Sequence, residues 1–246
     1  MVSISVIQRT NQTIHSLFSS SLLDAFMSVS SNDSISSKIE LSLLAAELYQ
    51  KQGRLSMKEL IAKSKYSAGE IYSLFDNKHE LLAYAYPSMV FQYWAMMDEI
   101  EDFHRLVISE KLSSFIYSML EMFADHEHFV RDTFNPLIAK KGIASGFAKE
   151  VSEVYKEFLH RDGNLSISAG LITKRYFFDW MSLQFIALVE FWIQDSSNGK
   201  ERTIGMVDKA CTLFESLLYS DVLDKGFDFG RYLISALNET LKREHK

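Results

Sequence analysis

Residues 37–82 read SKIELSLLAAELYQKQGRLSMKELIAKSKYSAGEIYSLFDNKHELL, and the spacing of serine and glutamate in them decides the fold. Ser37 precedes Glu40 by three residues, Ser56 precedes Glu59 by three, and Ser67 precedes Glu70 by three. Each pair has capping-box spacing: the serine oxygen accepts from the N3 amide while the glutamate accepts from the N-cap amide. The pattern predicts helices over 38–52, 57–63 and 68–75, with Gly53 ending the first. Ser64, Lys65 and Tyr66 leave a tight turn between the second and third. Two short helices across such a turn have the geometry of a DNA-binding helix-turn-helix. Leu43, Ala46, Leu60, Ile61, Ile71 and Phe75 would form the small core between the three helices.

Outward from this stretch the chain continues to read as helix. Asn77 is placed to cap a fourth helix, and Pro87 predicts a kink or a restart within it. Apolar periodicity then predicts helices at 88–102, 109–125, 127–141, 144–161, 166–195, 200–219 and 228–243. Upstream, Ile14, Leu17, Phe18, Leu22 and Phe26 suit a short amphipathic helix at 13–28, followed by a polar linker. With 2 Pro and 10 Gly in 246 residues, breakers are few, and the expected class is all-α. The expected organisation is an N-terminal arm at 1–36, a helix-turn-helix domain at 37–86 and a larger helical domain at 87–246.

Composition narrows the function. The net charge of −6 argues against nucleic-acid binding over the whole surface. Residues 38–82 hold seven Lys/Arg against six Asp/Glu, whereas 83–246 hold 18 against 24. Cys211 is the single cysteine, so an internal disulfide or cysteine-rich metal site is excluded and a reducing cytoplasm fits. Its neighbours Ala210, Leu213 and Phe214 suggest a buried, inert thiol. The most apolar stretch, 177–193, is interrupted by Asp179, Gln184 and Glu190, and no membrane span is expected. The N-terminus lacks a basic region followed by a continuous apolar core, which argues against a secretory signal. His126 and His128 lie two apart and do not share a helix face, so no metal site is expected. No nucleophile elbow, P-loop or dinucleotide fingerprint occurs; neither an enzyme nor a cofactor is expected.

Residues 38–82 resemble the DNA-binding domain of the TetR (tetracycline repressor) transcription regulators. The resemblance is carried by Ala45, Ala46, Leu48, Tyr49, Gly53, Leu60, Ile61, Ala62, Gly69, Ile71, Tyr72, Phe75, Lys78, Leu81 and Leu82. It implies an all-α homodimer that binds a palindromic double-stranded DNA operator, with a small-molecule effector site in the C-terminal domain. It implies a ligand-responsive regulator, a repressor released by an apolar or aromatic effector, with dimer helices at about 166–195 and 200–219. The Lys78 position holds a phosphate in that family and the Tyr72 position touches the backbone. Ser67, Ala68, Gly69, Glu70 and Ser73 would face the bases, with Lys38, Lys58 and Lys65 as phosphate partners or plain surface charges.

Three positions depart from the family pattern: Ala68, where it often has Lys or Arg; Glu70, where it often has Thr; and Leu74, where it often has Tyr or His. Glu70 has two readings. It is a capping partner of Ser67, or it accepts from a cytosine amino group in the major groove. The departures also admit a second reading of the protein, a TetR-like ligand- or protein-binding dimer whose DNA domain no longer reads sequence.

Aromatic residues crowd the middle of the chain, and most such residues are core. Trp94, Phe123, Phe134, Tyr155 and Trp180 are the candidates to line an apolar effector pocket. Ile204, Val207, Ala210, Cys211, Phe214, Leu217 and Leu218 recur at helical spacing, a stripe that is either internal core or half of a dimer interface.

Overall fold

A computed structural model describes residues 33–100, 102–160 and 175–218. The expected helices at 13–28 and 228–243 lie outside them. The described helices are α1 (Asp33–Gln52), α2 (Met57–Lys63), α3 (Ala68–Leu74), α4 (Lys78–Asp98) and α5 (Ile108–Asp125). They continue with α6 (Glu127–Leu137), α7 (Gly146–His160), α8 (Arg175–Gln194) and α9 (Glu201–Leu218). Among the described residues there is no strand, so the class is all-α.

The chain forms two compact units. The first takes the described residues up to Phe103 together with Met119–Lys141 and Ser145–Phe147. The second takes His104–Ser118, Gly142–Ala144 and the described residues from Ala148 onwards. The boundary expected at 86/87 falls inside the continuous helix α4.

Two sequence expectations about helices change. The first helix begins at Asp33, five residues before the expected start, so Ser37 and Glu40 lie within it and cap nothing. Their side chains are held instead by Tyr66, whose hydroxyl lies 3.0 Å from Ser37 Oγ and 3.0 Å from Glu40 Oε2. Pro87 does not interrupt α4. Proline inside a helix costs about 3 kcal/mol, and burying one large apolar side chain recovers roughly 1.5–3 kcal/mol. Leu81, Leu82, Tyr86, Met89, Val90 and Tyr93 are all buried along α4, which is enough to offset it. Ser88 Oγ also donates to Tyr84 O at 2.8 Å and lies 2.9 Å from Ser42 Oγ on α1.

The first unit is built on Tyr86. Its ring is stacked on Phe129 at 5.3 Å and edge-on to Phe123, Phe134 and Phe147 at 6.0, 5.4 and 6.0 Å. Its hydroxyl lies 2.7 Å from Thr133 Oγ1, which itself donates to Phe129 O. Burial pushes this phenol far above its ordinary range. In the second unit Phe115 meets Tyr155, Phe158 and Phe185 at 5.7, 6.5 and 5.2 Å.

The turn from α8 to α9 is locked by one buried carboxylate. Asp195 accepts from the Ser197 amide and hydroxyl and from the Thr203 amide and hydroxyl, at 2.6–2.9 Å. These bonds, the Ser197 hydroxyl first, hold the carboxyl far below the usual carboxylate range. Lys200 donates to the carbonyls of Trp192 and Asp195 at 3.1 and 3.0 Å and sits 4.9 Å over the Trp192 ring.

Candidate nucleic-acid interface

Helix α3 buries one face only. Ile71 and the C-cap Phe75 point inward, at 1% and 2% exposure. Ser67, Ala68, Gly69, Glu70, Tyr72 and Ser73 are all exposed, Tyr72 at 56%. The reading face expected from the sequence is therefore one continuous outer surface.

The turn before α3 is pinned from α1. Glu40 is the hub: Lys65 Nζ lies 2.8 Å from it and the Tyr66 hydroxyl lies 3.0 Å from it. At the start of α3 the capping box is complete. The Ser67 amide donates to Glu70 Oε2 at 2.7 Å, and the Glu70 amide donates to Ser67 Oγ at 3.3 Å. Bonds from Ser67 hold the Glu70 carboxyl below its usual range. Ser56 receives the Glu59 amide at 3.4 Å, but the Glu59 carboxylate turns to Lys63 and Gln52. One of the three Ser-x-x-Glu pairs thus forms a full box, one a half box, and one none.

Gly69 has ordinary helical backbone, since it is not among the residues with positive φ. A Cβ there would meet only Ser67 Oγ, at 4.0 Å. Nothing inside the fold requires the glycine.

The basic residues divide into two groups. Lys38 is half-buried, with its ammonium 5.5 Å over the Phe75 ring and 5.7 Å over the Tyr84 ring. Lys51 pairs with Glu47, Lys63 with Glu59 at 2.9 Å, and Lys65 with Glu40. Among the described residues Arg54, Lys58 and Lys78 have no ion-pair partner, and all three are exposed. Lys78 opens α4, whose Asn77 cap accepts from the His79 and Glu80 amides at 2.9 and 3.0 Å. A cation at the start of a helix, where the dipole is positive, suits a phosphate. Arg54 was not among the expected contacts; its place just after Gly53, between two helices, was the available signal. The acidic residues here face their own backbone: Glu80 accepts from the Asp76 amide at 2.8 Å, as Glu70 does from Ser67.

Of the five expected effector residues, three lie in the first unit and two in the second. Phe123 and Phe134 are fully buried in the first unit, 6.2 Å apart, beside Tyr86. Trp94 is half-buried next to Tyr93 in the same unit. Tyr155 is buried in the second unit against Phe115. Trp180 is 51% exposed on α8, where it joins Tyr176, Leu183 and Phe191 in an exposed apolar row.

On α9 the apolar stripe splits: Val207 and Cys211 are buried, while Ile204 and Ala210 are exposed, as are Met206 and Leu213 outside the stripe. Burial pushes the Cys211 thiol up to about 12, which leaves it inert. His126 Nδ1 lies 3.0 Å from Met122 O, and His128 Nε2 lies 3.3 Å from Asp132 Oδ2, so the two rings serve different neighbours. Among the described residues no group of three potential metal ligands converges, and no helix is long and apolar enough to cross a membrane.

Residues 111–233, half of the chain, match the family model described as tetracyclin repressor-like, C-terminal domain. No curated protein matches the chain.

Proposed function

The chain belongs to the tetracycline repressor-like family, and on that premise we propose that it is a ligand-responsive, DNA-binding transcription regulator acting as a homodimer. The observation that carries the reading is α3. It is a capped helix, pinned to α1 through Glu40, with an outer face of small and polar side chains and Lys78 close by in sequence. Two such helices in a dimer enter successive major grooves about one helical turn apart. Ser67, Ala68, Gly69, Glu70 and Ser73 face the bases, and Lys58, Lys78, Arg54 and the Tyr72 hydroxyl hold phosphates. Dimerisation uses the exposed apolar rows of α8 and α9, since an apolar face of that extent gains by losing water. An effector bound in the C-terminal half shifts the spacing between the two heads and lowers affinity for the operator, which makes the protein a repressor.

The second reading, a dimer with a non-reading head, is favoured by one observation. Lys38, Lys51, Lys63 and Lys65 are engaged inside the fold, and Glu70 adds a negative charge to the reading face. Selection of bound sequences from a random duplex library by the purified protein separates the two. Enrichment of a palindrome supports the regulator; a pool that stays random after repeated rounds supports the non-reading dimer.

A further inference from the structure

Helix α3 has little apolar surface to hold it. Within Ala68–Leu74 only Ile71 is buried; Phe75, four residues on, is the buried C-cap, and Leu74 beside it is half-buried. Residues four apart share one stripe of a helix. A two-turn helix anchored along one stripe resists being pulled away but resists rolling about that stripe far less. Rolling would swing Ser67, Ala68, Gly69, Glu70 and Ser73 together.

What opposes the roll lies one residue before the cap. The Tyr66 hydroxyl is 3.0 Å from Glu40 Oε2 and 3.0 Å from Ser37 Oγ, both on α1. A phenol has one hydrogen. Donated to the carboxylate it makes a charge-assisted bond, and the oxygen is left to accept from Ser37. The Tyr66 amide donates to Ser64 Oγ at 3.3 Å, so main chain and side chain are both fixed here. Lys65 Nζ meets the same Glu40 oxygen at 2.8 Å and sits 5.3 Å over the Tyr66 ring.

We propose that Tyr66 is a positioning residue for sequence discrimination: its hydroxyl, tied to Glu40 and Ser37, sets the roll of α3 and so the register of the reading face. This rests on the reading of α3 as the helix that enters the groove. Base contacts need donors and acceptors closely aligned, and every residue assigned to them is on α3 or is its N-cap. The cations assigned to phosphates, Arg54, Lys58 and Lys78, are on other elements. Loosening the tie therefore weakens the operator complex and leaves binding to random duplex in place. A tie that served only to keep the head folded would act differently, lowering affinity for both duplexes alike.

The test uses the full chain, as wild type, Tyr66→Phe and Glu40→Ala, with melting followed to show that each is folded. Affinity is measured for the operator selected by wild type and for a random duplex of equal length. Tyr66→Phe keeps the ring and removes the hydroxyl. It is expected to lose about threefold at each of two heads, so the operator-to-random ratio falls about tenfold while random-duplex affinity stays within about twofold. Glu40→Ala is expected to lower the ratio at least as far. The Lys65 that it frees adds to both duplexes alike and leaves the ratio clean. Should Tyr66→Phe fail to fold, Glu40→Ala is judged by the same ratio. A ratio within about twofold of wild type overturns the proposal, as does a parallel loss on both duplexes. A wild type that selects no operator overturns the regulator reading as well; an unchanged ratio with an operator in hand overturns this proposal alone.

Discussion

Helices α3 and α8 both leave side chains in water, and they leave opposite chemistry there. The first shows Ser67, Ala68, Gly69, Glu70, Tyr72 and Ser73; the second shows Tyr176, Trp180, Leu183 and Phe191. Hydroxyls, a phenol and one carboxylate lose little by staying hydrated, and they gain only from a partner with matching donors and acceptors in register. Large apolar side chains gain from any close-fitting surface that excludes water, at about 25 cal/mol per Å². One chain thus carries a face whose partner must be chemically exact and a face whose partner must only fit. In the proposed dimer a second copy would supply the latter by symmetry.

The largest break of that contrast is Trp180→Glu. It puts a carboxylate into the apolar row of α8, where pairing would bury it without a partner, so the dimer is expected to weaken by about 100-fold or more. Sedimentation velocity over a concentration series checks this; a dimer of unchanged affinity moves the interface off α8. Next comes Lys78→Ala. Losing one phosphate contact per subunit is expected to lower operator affinity about tenfold and to flatten the salt slope by about 2. Lys65→Ala is its control, since Glu40 already holds that ammonium. Equal changes of slope in the two variants would show that the Glu40 pair opens on DNA.

Gly69→Ala sharpens the comparison from the stability side. With open space around its Cβ, alanine is expected to raise unfolding stability by about 0.5–1 kcal/mol. Operator affinity is expected to fall at the same time, because the added methyl lies where the groove approaches. If both rise together, α3 does not enter closely at this point. The smallest effect is expected for Glu70→Gln, which keeps an acceptor for the Ser67 amide and removes one negative charge. Affinity for duplex DNA should rise about two- to fivefold. A fall confined to operators with a cytosine at one position would instead make Glu70 a base reader.

What was legible in the sequence follows from the range of the interactions involved. Helices α2 and α3 rest on contacts within three or four residues, such as the Ser67 box and the Ser56 half box, and local pattern reaches that far. The start of α1 was misplaced because the partner of Ser37 and Glu40 is Tyr66, 29 and 26 residues away. Helix α4 passes Pro87 because tertiary burial outweighs a local cost, and sequence shows the cost alone. The face of α3 could be read from periodicity, but not that Lys38 already covers Phe75 or that Lys65 is held by Glu40. Aromatic spacing does not say which side of a helix faces inward, so the exposure of Trp180 on α8 was not legible.

The central claim is a head that reads DNA with most of its positive charge already engaged in its own fold. The most direct test is the slope of log affinity against log salt for the selected operator. Arg54, Lys58 and Lys78 from each subunit give six released counterions and a slope of about −5. A slope beyond about −10 would mean that Lys38, Lys51, Lys63 and Lys65 leave their partners to hold phosphates, and would contradict the claim. A slope near zero with no preferred sequence would contradict it from the other side, leaving α3 a shape without a reader.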